Sequence, residues 1–136
     1  MSTYVPASLR RQVIERAGDR CEYCRFSQNV TLLAFEMEHI ISEKHGGTTS
    51  LENLALACPY CNRAKGTDLG SIDPETNQLT PFFNPRTQKW QDHFTLEGAV
   101  IKPLTAEGRV TVFILQFNHP DRLQERERLL AIRHYS

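Results

Sequence analysis

The sequence predicts an α+β protein organised around a structural zinc knuckle, and three observations carry that expectation. Its four cysteines fall into two CxxC pairs, Cys21 with Cys24 and Cys58 with Cys61. Segments with helical spacing at both ends of the chain flank short β-rich runs. The 136 residues, 40% hydrophobic and 24% charged, have the size and composition of one domain, taken as residues 1–136.

Residues 6–17 are expected to form a helix. Leu9, Val13 and Ala17 recur every four residues beside Ile14, Pro6 suits a first turn and Gly18 a stop. Arg10, Arg11 and Arg16 lie off that stripe, toward solvent. Residues 31–38 (TLLAFEME) read as a strand, residues 45–50 as a loop, and Leu54–Ala57 as a short buried strand entering the second CxxC. Residues 61–65 start a helix that Gly66 ends.

Downstream, residues 68–85 hold Asp73-Pro74 and Asn84-Pro85 and read mostly as loop, with Phe82 and Phe83 in the core. One or two helical turns fit residues 86–93, and a strand pair is expected near 94–104. Val110, Phe113, Ile114 and Phe117 fill i, i+3, i+4 and i+7, which favours a helix over 110–117 despite its β-branched content. Residues 120–134 read as a charged helix opened by Pro120. Leu123, Leu130 and Ile132 should face inward and Glu125, Arg126, Glu127 and Arg128 outward.

Sixteen Lys and Arg balance sixteen Asp and Glu. That balance excludes a polybasic mode of binding, so attachment to nucleic acid would rest on geometry and a metal. No apolar run nears the roughly 20 residues of a bilayer span, and residues 1–12 hold no apolar signal core. A cytoplasmic protein without a membrane partner is expected.

Three chemistries use paired cysteines. Secreted disulfides need export and usually a denser set of cysteines. A thioredoxin-like redox motif uses one CxxC and leaves the other without a role. A structural Zn²⁺ takes four sulfurs in a tetrahedron, and Cys21, Cys24, Cys58 and Cys61 provide them from two short turns. Such a site contributes on the order of 10 kcal/mol, so the fold around it should depend on metal.

Between and just after the cysteine pairs the chain reads Glu38-His39-Ile40-Ile41, Gly46-Gly47, Leu51-Glu52-Asn53-Leu54 and Cys61-Asn62-Arg63-Ala64-Lys65-Gly66. In that order these residues closely resemble the HNH endonuclease family, in its four-cysteine zinc form found in prokaryotes. The stretch Phe83-Asn84-Pro85-Arg86, with Trp90, His93-Phe94, Thr105 and Gly108-Arg109, is similar to members of the same family. The resemblance implies a treble-clef-like ββα-metal core over about residues 19–67. The N-terminal helix and a C-terminal α+β extension over about 80–136 would flank it.

The resemblance also implies a metal-dependent endonuclease acting on DNA, duplex rather than RNA. Phosphodiester hydrolysis needs an activated water and stabilised charge on the phosphorane and the departing oxygen. His39 matches the residue that takes a proton from water, a task an imidazole can perform at neutral pH. Glu38 and Asn62 match ligands of a divalent ion, and oxygen donors suit Mg²⁺ or Mn²⁺. Asn53 matches the middle residue, which braces the loop through backbone hydrogen bonds. Glu38 and His39 would face opposite ways on a regular strand, so the strand should end or twist there. Arg63, Lys65 and His45 are candidate phosphate contacts, with Arg86 and Arg109 behind them. The competing reading is a non-catalytic zinc module that binds nucleic acid or protein and needs the cysteines alone.

Overall fold

Gly18 sets the end of the first helix. Helix α1 spans Ala7–Ala17, and Gly18 turns left-handed at φ 63°. Its N–H returns to Glu15 O and that of Asp19 to Ile14 O, which satisfies the last carbonyls of the helix. Val13 is fully buried, while Arg10 and Arg11 are exposed. Arg16 is exposed as well, as expected, and its guanidinium also donates to Leu51 O at 2.7 Å and to Leu54 O. It ties α1 to the segment that enters the next sheet. The computed structural model describes residues 4–135, which divide into two compact units meeting at residues 67 and 68.

In the first unit, strand β1 (Glu36–His39) pairs antiparallel with β2 (Leu54–Ala57), placing Glu38 opposite Ala55 and His39 opposite Leu54. The strand expected over 31–38 is therefore shorter and displaced. Every residue of β2 is buried, and only 36–39 find partners on it. Leu32 and Leu33, which suggested strand, are exposed. Glu22, in the first CxxC turn, donates its N–H to Leu56 O and accepts from Leu56 N–H, both at 2.8 Å. The first cysteine pair is thus docked on β2, which leads directly into the second.

Helix α2 spans Pro59–Lys65; it closes at Gly66 as expected but opens on Pro59, two residues before the expected start at 61. The Cys58 sulfur accepts the Cys61 N–H at 3.4 Å, doing the work of an N-cap side chain. A side chain of the second cysteine pair therefore also fixes where the helix begins.

The second unit opens with a hairpin. Strands β3 (Gly70–Ile72) and β4 (Leu79–Pro81) pair antiparallel across residues expected to be loop. Asp73 closes the turn, accepting from Asn77 N–H at 2.8 Å and donating its own N–H to Gln78 O at 2.9 Å. Three-residue strands with mostly exposed side chains leave no alternation to read.

A one-turn helix α3 (Trp90–His93) leads into the expected strand pair, β5 (Phe94–Glu97) and β6 (Val100–Pro103). Phe82, Phe83, Phe94, Ile101, Val110, Leu115 and Phe117 form the core of this unit. The Phe94 ring lies 5.3 Å from Phe83, edge-on, and 5.5 Å from Phe117.

Helix α4 (Ala106–Ile114) confirms helix over ambiguous sequence, but it begins earlier than residue 110. Thr105 caps it by accepting from Gly108 N–H at 3.0 Å. Its buried face is Gly108, Val110 and Thr111, so Phe113 is left 65% exposed. On α5 (Pro120–Ala131) Arg126 and Ile132 reverse the expected pattern. Arg122 and Arg126 are buried and Ile132 is 62% exposed. The end of α4 leaves carbonyls in need of donors. Arg122 reaches Leu115 O at 2.7 Å, and Arg126 reaches Phe117 O at 2.9 Å and Ala99 O at 2.8 Å.

Candidate active site and metal centre

Four thiols converge in the first unit. Cys21 and Cys24 come from the turn after α1, Cys58 precedes α2 and Cys61 lies in its first turn. All are buried, with sulfurs within 4.8 Å of one another, and Cys24 and Cys58 stand 3.7 Å apart. Sulfurs bonded at about 2.3 Å to one zinc stand about 3.8 Å apart in a tetrahedron. Burial pushes the Cys21 and Cys61 thiols well up; the neighbouring sulfurs add to this at Cys21, while at Cys61 the hydrogen bond with Cys21 opposes it. Thiolates packed this closely need a cation between them, so the cluster fits zinc both in spacing and in chemistry.

The same cluster positions what lies beside it. Asn62 follows Cys61 on α2, and α2 packs against β1. A cavity of about 470 Å³ opens between them, lined by Glu38, His39, Ser42, Lys44, Asn62 and Gly66 among others. Glu38, His39 and Asn62 thus reach one cavity although two of them are neighbours on a strand. The strand ends at His39, as that convergence requires. Ser42 Oγ is buried there with no hydrogen-bond partner among the described residues.

Glu38 is only 3% exposed, and its Oε1 lies 2.6 Å from Lys65 Nζ. Burial raises the Glu38 carboxyl to about 7, against the opposing pull of the Lys65 ammonium. This overturns one expectation, because Lys65 cannot serve as a phosphate clamp. It is 2% exposed, and its ammonium also donates to Ile40 O at 2.9 Å and His39 O at 3.3 Å. The end of α2 aims it at the carbonyls where β1 stops pairing, and three N–H donors match one carboxylate and two carbonyls. Arg63 and His45, the other candidate phosphate contacts, are exposed.

Asn53 joins the strand to the loop before it. Its Oδ1 accepts the Ile41 N–H at 2.9 Å, and its Nδ2 donates to Ile41 O at 2.8 Å and Thr48 O at 2.9 Å. Gly47 permits that closeness, since a Cβ there would land on the Ile41 carbonyl oxygen. His39 is half-buried, with Nε2 at 2.9 Å from Thr49 Oγ1. Thr49 has no place in the reading of the sequence, where nothing links a loop hydroxyl to an imidazole ten residues earlier. Arg109 lies in the second unit and is committed there. Its Nε and Nη2 donate to both Asp73 oxygens at 2.9 and 2.8 Å, and Glu75 stands 3.1 Å away.

Residues 21–68 match the family model described as HNH endonuclease. The chain is also similar to the Septu protein PtuB of Bacillus thuringiensis, with 24% identity over 117 residues. That alignment covers 85% of this chain and 43% of PtuB, so the chain spans less than half the length of its relative. No solved structure matches significantly. No helix among the described residues is long and apolar enough to cross a membrane.

Proposed function

We propose that the protein is a metal-dependent endonuclease that hydrolyses DNA phosphodiester bonds, with duplex DNA as its substrate and RNA a poorer one. The observation that carries this reading is the convergence of His39, Glu38 and Asn62 on one cavity beside the zinc cluster.

In this mechanism His39 accepts the proton of the attacking water. Glu38 and Asn62 hold a divalent ion, Mg²⁺ or Mn²⁺; their oxygen donors suit a hard cation. When bound, such an ion neutralises charge on the phosphate and the departing oxygen. Asn53 keeps the loop against the end of β1, and the exposed Arg63 and His45 contact the phosphate backbone. The four cysteines hold α2, and with it Asn62, in place. A cytoplasmic setting suits them, since reduced thiols are available to zinc there.

The test is nicking of supercoiled DNA with a panel of divalent ions. His39→Ala should slow cleavage by about 100-fold or more while zinc content and fold persist. A purified variant that nicks at the wild-type rate removes His39 from the chemistry.

The Glu38–Lys65 pair favours a second reading. A carboxylate already matched by a buried ammonium attracts a cation less strongly, which suits a zinc module that binds nucleic acid or protein without cutting. Inertness of the zinc-loaded wild type toward every DNA form and divalent ion would establish that reading.

A further inference from the structure

The His39 ring makes one hydrogen bond among the described residues, from Nε2 to Thr49 Oγ1 at 2.9 Å. Its Nδ1 has none. Thr49 is not placed there by chance of a mobile loop, because the loop is fastened on both sides. Asn53 holds Thr48 O and both backbone groups of Ile41. Gly47 lies so close to Ile41 O that no side chain fits, and its N–H donates to Ser42 O at 3.0 Å. Thr48 Oγ1 and Ser50 Oγ pair with each other at 2.7 Å. Thr49 is left as the hydroxyl of this run that meets β1.

We propose that Thr49 is a positioning residue for His39: its hydroxyl accepts the Nε2–H and fixes the ring, leaving Nδ1 as the basic atom. A neutral imidazole carries one N–H, and the two nitrogens exchange roles unless a partner selects between them. A base must present a lone pair that nothing else occupies, and on this ring that atom is Nδ1. The inference rests on the reading of His39 as the base. It also gives the braced loop a purpose: Asn53 and Gly47 hold the backbone, and the backbone delivers one hydroxyl to one ring.

The experiment uses the full zinc-loaded chain with ¹⁵N-labelled histidine at pH 8, with the His39 signals identified by their loss in His39→Ala. Wild type should show the proton on Nε2 and a bare Nδ1. Thr49→Val should move the Nε2 signal and lower kcat for nicking roughly tenfold, with KM and zinc content unchanged. Thr49→Ser, which keeps the acceptor, should restore both. A proton found on Nδ1 in the wild type overturns the proposal. So does a Thr49→Val protein with unchanged His39 signals and kcat, even where His39→Ala is inactive. A wild type that cuts nothing, yet shows His39 signals governed by Thr49, would sink the nuclease reading and leave the positioning role standing.

Discussion

A lysine that is 2% exposed stays inside a protein because of what its ammonium touches, and Lys65 touches one carboxylate and two carbonyl oxygens. Removing one member of a buried ion pair strands the other and costs roughly 3–5 kcal/mol. Lys65→Met should therefore lower the unfolding free energy of the zinc-loaded protein by about that amount in a urea titration. A loss below about 1 kcal/mol would mean that water reaches Glu38 and the pair is no true anchor. At this scale the motif residues were legible and their partners were not. The four cysteines announce one another by spacing. Glu38, His39, Asn53 and Asn62 stand out by their order. Lys65 meets Glu38 only because α2 folds back on β1, and a lysine near a suspected phosphate site reads in sequence as a clamp. Arg109 and Arg126 mislead for the same reason. A guanidinium serving carbonyls or a buried carboxylate has the same sequence signature as one in water.

Elements were legible where local chemistry sets them. Pro6, Gly18, Gly66 and Pro120 mark helix ends that occur within a residue or so of expectation. The β3–β4 hairpin escaped because it is organised by one side chain and not by a pattern. Asp73 lies in the turn with Thr76 Oγ1 at 2.9 Å, and its carboxylate takes both prongs of Arg109 from α4. Hydrogen bonding to Arg109 is the largest of the influences holding the Asp73 carboxyl well below the usual carboxylate range. A carboxyl whose folded pKa is depressed adds stability that is complete above its unfolded value, near 4, and is lost as pH falls toward the lower folded value. Asp73→Asn should therefore lower the melting temperature at pH 7. The gap from wild type should narrow as the pH drops below about 4. A gap that stays constant into strong acid would show that packing of the turn, and not charge, is what the substitution removes.

Across the whole molecule, the α+β class and the zinc-centred first unit follow from the sequence, since the cysteines bracket the very segments that must meet. The described residues divide into two compact units, with the chain passing from one to the other after residue 67, each with its own buried apolar residues. In the first unit the sulfurs cap α2 and Glu22 docks the first knuckle on β2, so its elements are tied together at the cysteine cluster beside a core that includes Val13, Phe26, Phe35, Leu54 and Leu56. In the second unit Phe94, Phe117, Ile101 and Leu115 are essentially fully buried with no metal ligand among them. Structural zinc commonly contributes about 10–16 kcal/mol to the folding of small sites, comparable to a typical domain's whole stability. Stripping zinc from the full chain with a strong chelator should therefore abolish amide-exchange protection through β1, β2 and α2. The amides of β5, β6 and α4 should keep theirs. Readdition of zinc should restore the first set without altering the second. Loss of protection in both halves at the same chelator concentration would instead make the chain one cooperative unit, with the C-terminal half depending on the metal as fully as the site does.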